Sequence, residues 1–225
     1  MPPPSFFMIK KLPNDIWVLE NDTHISKWVE EHNSLKCDPC LFEWLKPRLQ
    51  DCEVAWDVGA NIGDHTRFYL DCGMEVVAFE PNPEAFRCLC HNCREATCYN
   101  IAASDGQREL TMALEDNVGA SHIVEGGAVM VIASPLDSIA KHYKAPDYIK
   151  IDVEGFESKA LAGMEQLLID SKPKLFVEFN DGALRRNGSS SADLKKQIES
   201  YGYTQFEIFP PDAKLTDPQY DLFFH

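Results

Sequence analysis

Val54-Ala-Trp-Asp-Val-Gly-Ala-Asn-Ile-Gly63 is a short β-favouring run that ends in a turn of small residues. A helix from about Gly63 to Asp71 follows it. A strand that breaks into a helix this way brings bare backbone close to a ligand at the carboxyl edge of a sheet. Gly59 and Gly63, with Ala60 between them, keep bulk out of the turn, and Asn61 adds an amide. Asp57 can meet an ammonium group or a bridging water. The second strand, Glu75 to Phe79, ends at Glu80, about twenty residues on, where a carboxylate can accept both hydroxyls of a ribose.

Outward from this turn, apolar β-rich runs alternate with helical stretches from Glu53 onward, the pattern of a parallel sheet clad by helices. Pro83 opens a helix to about Arg94, and Thr97 to Ala102 reads as the third strand. Glu109 to Leu114 is an inserted strand before the polar segment Glu115 to Gly127, and Val129 to Ala133 can pair with it. Asp147 to Val153 is the fourth core strand, Glu157 to Ile169 a helix, and Lys174 to Phe179 the fifth strand. Asp181 to Ser191, rich in Gly, Ser and Asn, reads as a loop before a helix from about Ala192 to Tyr201. Thr204 to Phe209 and Tyr220 to Phe224 are joined by only about ten residues, too few for a helical crossover, so they pair antiparallel.

The first fifty-two residues differ in character. Phe6 to Ile9 and Ile16 to Leu19 flank the turn signal Leu12-Pro13-Asn14-Asp15 and read as a hairpin. Asp22 or Thr23 can cap a helix through about Glu31, and Pro39 can open another through about Leu49. Residues 1–52 are thus expected to form a cover over a main domain at 53–225. Trp17, Trp28 and Trp44 either dock that cover or offer an aromatic platform to a sugar ring.

The 225 residues carry 21 basic and 36 acidic side chains, a net charge of −15. That balance opposes a broad grip on nucleic acid and favours a small-molecule or glycan substrate. No apolar run approaches the roughly 20 residues of a membrane span, and the first residues do not read as a secretory signal, so a cytoplasmic protein without membrane contact is expected. The eight cysteines then read as reduced thiols. Cys88, Cys90 and Cys93 share one helix, where positions 88 and 90 point apart, which disfavours a metal site with Cys98.

The same layout serves nicotinamide dinucleotides, so the spacing is tested against Gly-x-Gly-x-x-Gly. With Gly59 first, Asn61 stands at the second glycine and Asp64 at the third, setting a side chain and a negative charge where a pyrophosphate would approach. S-adenosylmethionine (SAM) has no phosphate and carries an ammonium and a sulfonium, so an acid-rich rim suits it better.

Taken in order, Val54 to Gly63, Ala78-Phe-Glu-Pro-Asn-Pro83, Asn100-Ile-Ala-Ala-Ser-Asp-Gly106 and Tyr148-Ile-Lys-Ile-Asp-Val-Glu-Gly-Phe-Glu157 resemble the FkbM family of methyltransferases. The likeness covers roughly Glu53 to Asn180. It implies a Rossmann-like α/β fold, a seven-stranded, mostly parallel sheet whose last strand enters antiparallel. It also implies SAM-dependent methylation of hydroxyls on sugars or related small molecules. Carried over, Asp57, Gly59, Asn61 and Gly63 would hold the methionine part and Glu80 the ribose, with Asn82 assisting. Ser104 and Asp105 would border the adenine, although Asp105-Gly106 reads equally well as a plain turn.

Lys150, Asp152 and Glu154 alternate along the fourth strand and its exit, which sends their side chains toward the expected methyl group. Methyl transfer to an oxygen needs alignment and relief of a proton. Asp152 or Glu154 can accept that proton, and Lys150 can steady a developing alkoxide. The plainer alternative is a buried ion pair between Lys150 and Glu178. Glu178 and Asn180 face the same crevice, and His122, in the insertion, is a candidate base near neutral pH or simply a solvated loop side chain. His65 carries no assigned chemistry. Two carboxylates offer oxygen ligands suited to magnesium but are too few to define a metal site. The rival readings are a nicotinamide-dependent oxidoreductase and a SAM-binding module without turnover.

Overall fold

The computed structural model describes residues 8–225. Phe6 and Phe7 of the expected hairpin lie outside them. Within them, β1 (Ile9–Lys11) and β2 (Trp17–Leu19) pair antiparallel, and α1 (Ile25–His32) and α2 (Pro39–Leu45) follow. Asp22 starts α1 by accepting the N–H groups of His24 and Ser26, and Asp38 caps α2 through the N–H of Leu41.

The central sheet is built from β3 (Val54–Val58), β4 (Glu75–Phe79) and β5 (Thr97–Tyr99), with α3 (Asp64–Asp71) and α4 (Pro83–Asn92) as crossovers. The chain then leaves for a second sheet of β6 (Ala102–Ala103), β7 (Arg108–Ala113), β8 (His122–Ile123) and β9 (Val129–Ser134). It returns through α5 (Leu136–Ala140) to β10 (Tyr148–Ile151), α6 (Glu157–Ala162), α7 (Glu165–Ser171) and β11 (Lys174–Asn180). Last come α8 (Asp181–Arg186), α9 (Ser191–Ser200), β12 (Phe206–Phe209) and β13 (Gln219–Phe224). The seven-stranded order is β12-β13-β11-β10-β3-β4-β5, and the four-stranded order is β6-β9-β7-β8.

The expectation of a mostly parallel sheet is corrected to a mixed one. The β4–β5, β3–β4, β3–β10 and β10–β11 pairings are parallel, whereas β13 runs antiparallel to both neighbours. The short β12–β13 link forces that reversal.

Side chains alternate across this sheet. Val54, Trp56, Val58, Ile149 and Ile151 enter one buried layer with Leu161, Leu168, Leu194 and Ile198 of the helices. Ala55, Tyr148 and Phe176 enter the other with Phe68 and Tyr69 of α3. Leu41, Phe42 and Leu45 of α2 belong to that second layer, so α2 clads the sheet, while β1, β2 and α1 pack on α4 and Ile62. None of Trp17, Trp28 and Trp44 lines the cavity at the carboxyl ends of β3, β4 and β10. Trp17 stacks on His91, Trp28 on His32, and Trp44 packs against Phe209 and Phe223.

Three expected segments differ. The third strand stops at Tyr99, because Asn100 turns aside to donate to the carbonyls of Glu80 and Pro81. The helix after β10 breaks at Gly163, where a Cβ would sit 1.9 Å from the carbonyl oxygen of Ser104. The loop after β11 opens with α8, since Asn180 accepts the N–H of Ala183 and acts as a cap. Among the described residues, no helix is long and apolar enough to cross a membrane.

Candidate active site

The turn after β3 is tied to the end of β4: the N–H groups of Gly59 and Ala60 both donate to the carbonyl of Phe79. Gly59, Asn61 and Gly63 take φ of 87°, 49° and 101°, a left-handed conformation that costs least for glycine and asparagine. Gly63 has no room for a side chain, with Cys93 Sγ 2.8 Å from its would-be Cβ.

Glu80 is buried at the tip of β4. Its Oε2 accepts the N–H of Asn61 at 2.8 Å and its Oε1 that of Asn82 at 2.7 Å, so one carboxylate joins the two ligand-facing turns. Asn82 assists through its backbone, while its side chain accepts the N–H groups of Glu84 and Ala85 as the cap of α4.

Asp57 and Lys150 are register partners on β3 and β10 and face α3. Lys150 Nζ donates to the carbonyl of Gly59 at 2.9 Å and lies 3.3 Å from Asp152 Oδ2 and 3.6 Å from Asp57 Oδ1. The alternative pairing of Lys150 with Glu178 is therefore replaced by a junction with Asp57 and Asp152. Asp57 Oδ2 accepts the hydroxyl of Thr66 at 2.6 Å. Fully buried, Asp57 stands behind the cavity wall.

Beyond β10 the chain turns sharply. Glu154 and Gly155 take φ of 53° and 95°, and the Glu157 carboxylate holds the turn by accepting the N–H groups of Val153 and Gly155. Glu157 thus positions Glu154. One oxygen from each of Asp152, Glu154 and Glu178 falls within 4.8 Å of the others. Glu178 Oε1 accepts the amide of Gln219 at 2.7 Å, and its Oε2 is buried without a partner.

A cavity of about 260 Å³ opens along the carboxyl ends of β3, β4 and β10. Gly59, Asn61, Glu80, Lys150, Asp152, Glu154 and His122 line it, as expected from the sequence. Ala60, Gly63, Asn82, Ser104 and Glu178 do not. Asp105 is directed elsewhere, toward Arg108 at 2.6 Å and Lys159 at 2.9 Å. Its pairing with Lys159 and Arg108 outweighs partial burial and brings it down to about 2. Ser104 and Asp105, to which the resemblance carries an adenine role, do not line the cavity, whereas Ile101, Ala102 and Ala103 do. His122 accompanies Asn117 and Ser121 there, and its Nδ1 lies 2.9 Å from the carbonyl of Ala120.

Sequence reasoning missed His24, Ile25, Phe156 and Gln219. His24 and Ile25 reach the cavity because Asp22 receives the N–H of Val118 from the insertion as well as those of α1. The capping aspartate was visible in the sequence, but its long-range partner was not.

Burial makes three of the site's acids hard to ionise. It pushes Asp64 and Glu80 up to about 7 and Glu154 to about 8. Burial also works against the charge on Lys150, but Asp152, Asp57 and Asp64 outweigh it and hold the ammonium charged. His65, half-buried and near Lys150, is kept neutral. Among the described residues, Cys88, Cys90, Cys93 and Cys98 form no metal-binding group.

Comparison with known proteins places this geometry. Residues 57–204 match the family described as the methyltransferase FkbM domain. The hexuronic acid methyltransferase AglP of Haloferax volcanii is 29% identical over 156 residues, which cover 66% of this chain and 64% of that protein. A crystal structure of methyltransferase FkbM from Methylobacillus flagellatus superposes with a TM-score of 0.56 at 22% identity, covering 78% of this chain and 44% of that one. Magnesium protoporphyrin IX methyltransferase of Synechocystis, solved with bound SAM, superposes with a TM-score of 0.50 at 12% identity, covering 90% and 82%. This chain belongs to the FkbM methyltransferase family.

Proposed function

We propose that this protein transfers the methyl group of SAM to a hydroxyl of a sugar acid or a related small polyol. The carrying observation is the Glu80 carboxylate, fixed by the N–H groups of Asn61 and Asn82 at the cavity wall beside a glycine turn. It leaves lone pairs free to accept a ribose diol. Asn61 Oδ1 is a buried acceptor without a partner, and the Asp64 carboxyl lines the same wall, so an ammonium group fits there. Asp64 at the first turn of α3 opposes a pyrophosphate, which argues against a nicotinamide dinucleotide.

SAM supplies a methyl carbon activated by a sulfonium. The chain's own part is alignment and proton removal. Asp152 and Glu154 line the cavity, where an acceptor hydroxyl would release its proton to a carboxylate as its oxygen bonds the methyl carbon and the S–C bond breaks. Lys150 keeps Asp152 and the Gly59 carbonyl in one geometry. The net charge of −15 favours a small acceptor over a polyanion. The hexuronic acid methyltransferase of Haloferax points to uronic acids as first candidates.

Calorimetric titration with S-adenosylhomocysteine (SAH), followed by transfer of labelled methyl to a panel of uronic acids, neutral sugars and small amines, tests this. Heat with SAH and label on a hydroxyl are expected. Absence of heat overturns the cofactor assignment, and label appearing only on nitrogen acceptors overturns the substrate class.

A further inference from the structure

We infer that Asp152, Glu154 and Glu178 form a binding site for a divalent cation at the wall of the cavity, and that this ion holds the acceptor's oxygens. The inference rests on the reading of the cavity as a methyl-transfer site for a hydroxyl acceptor. Its ligands, however, are fixed by geometry alone.

The three carboxylates come from two adjacent strands. Asp152 and Glu154 stand on the exit of β10 and Glu178 near the end of β11, and one oxygen of each lies within 4.8 Å of the other two. Two oxygens on opposite sides of one ion are separated by twice the metal–oxygen distance, about 4–5 Å for magnesium or calcium. The cluster is therefore already of the size one ion spans. Hard carboxylate oxygens select magnesium, manganese or calcium rather than zinc or copper.

Glu178 supplies the second, independent observation. It is 8% exposed, one of its oxygens is bound by the Gln219 amide, and the other, Oε2, is buried with no hydrogen-bond partner. A buried, unsatisfied carboxylate oxygen is costly unless something meets it. Lys150 is spent on Gly59, Asp57 and Asp152, and the Arg186 guanidinium acts on Glu154. Asp221, the register partner of Glu178 on β13, adds a further acid, not a counter-charge. A divalent ion satisfies the orphaned oxygen and offsets the excess charge together.

Placement gives the ion a role. Asp152 and Glu154 line the cavity while Glu178 stands behind them, so the ion's remaining coordination positions face the ligand space. Such a site takes an acceptor with two neighbouring oxygens, a vicinal diol or a hydroxy acid. It also resolves an electrostatic mismatch, because a uronate carries negative charge into an acidic mouth.

The test uses Mn²⁺ alone on the full chain without cofactor, read by the loss of the free-ion EPR signal at pH 8 and by competition with Mg²⁺. One Mn²⁺ per chain, displaced by Mg²⁺, is expected, with binding at least tenfold weaker in Glu178→Gln and in Glu154→Gln. If Glu178→Gln does not fold by near-UV circular dichroism, Glu154→Gln at the cavity mouth decides. An unchanged free Mn²⁺ signal at millimolar metal, or parental binding in the folded variants, overturns the site. SAH heat measured in EDTA separates the two readings. Heat without any Mn²⁺ binding removes the metal alone, whereas Mn²⁺ binding without SAH heat removes the cofactor assignment and leaves the metal site standing.

Discussion

The carbonyl oxygen of Asp152 lies 1.8 Å from the position a Cβ would take on Gly59, so the cofactor turn and the exit of β10 are packed backbone to backbone. Gly59 also sits at φ 87°. Gly59→Ala must push two adjacent strands apart and adopt a left-handed conformation. A loss above about 4 kcal/mol is expected, the range reserved for such steric conflicts. Chemical denaturation measures it, and a loss below about 1 kcal/mol would contradict the close packing.

Glu80 gives a prediction about binding. In Glu80→Gln one carboxylate oxygen becomes an NH₂ group facing the N–H of Asn61 or Asn82, so a donor meets a donor where the structure has short charge-assisted bonds. Hydrogen bonds to charged groups contribute about 1.5–3 kcal/mol. SAH affinity should fall roughly ten- to hundredfold by calorimetry, with the fold retained. Unchanged affinity would show that the diol is held elsewhere.

The turn after β3 and the acid after β4 were legible in the sequence because they are local. Asp57 to Gly63 is one strand and one turn, and Glu80 follows at the end of the next strand, so period and spacing suffice. Ser104 and Asp105, expected at the cavity, lie off its lining, and for Asp105 the partner is long-range: Lys159, on α6, pairs with it. The Lys150–Glu178 pairing failed similarly. Alternation along β10 gives the face of Lys150 but not its neighbours, and the order of strands puts Asp57 directly beside it. His24 and Gln219 lie far from the motifs in the chain and reach the cavity only through tertiary contacts.

Lys150 can be tested through that neighbour. Lys150→Met keeps the length of the side chain and removes the charge, leaving Asp57 at 0% exposure with Thr66 as its hydrogen-bond donor. Breaking one side of a buried ion pair costs about 3–5 kcal/mol. Because the cost comes from the stranded carboxylate, Asp57→Asn in the same chain should recover part of it. A double-variant cycle measured by denaturant unfolding checks this, and strictly additive losses would deny the coupling.

The acids of the cavity set the pH response. Glu80 and Asp64 are pushed up by burial to about 7, from the ordinary values near 4.5 and 3.8. Between about pH 4 and 7 the folded chain therefore holds protons that the unfolded chain has released, and stability falls as pH rises through that window. Asp105, held at about 2 by Lys159 and Arg108, contributes with the opposite sign and only in more acidic solution. An ammonium-bearing ligand favours the ionised acids, so SAH should bind more tightly as pH rises from about 5 to 8 and should release protons on binding. Two measurements check the argument. Thermal unfolding without ligand should show Tm falling from pH 5 to 8, and the shift produced by SAH should grow over the same range. Calorimetry in buffers of different ionisation enthalpy should report proton release near pH 6.5. Proton uptake, or a ligand-induced shift that shrinks as pH rises, would mean that the ammonium is not held by Asp64 and its neighbours.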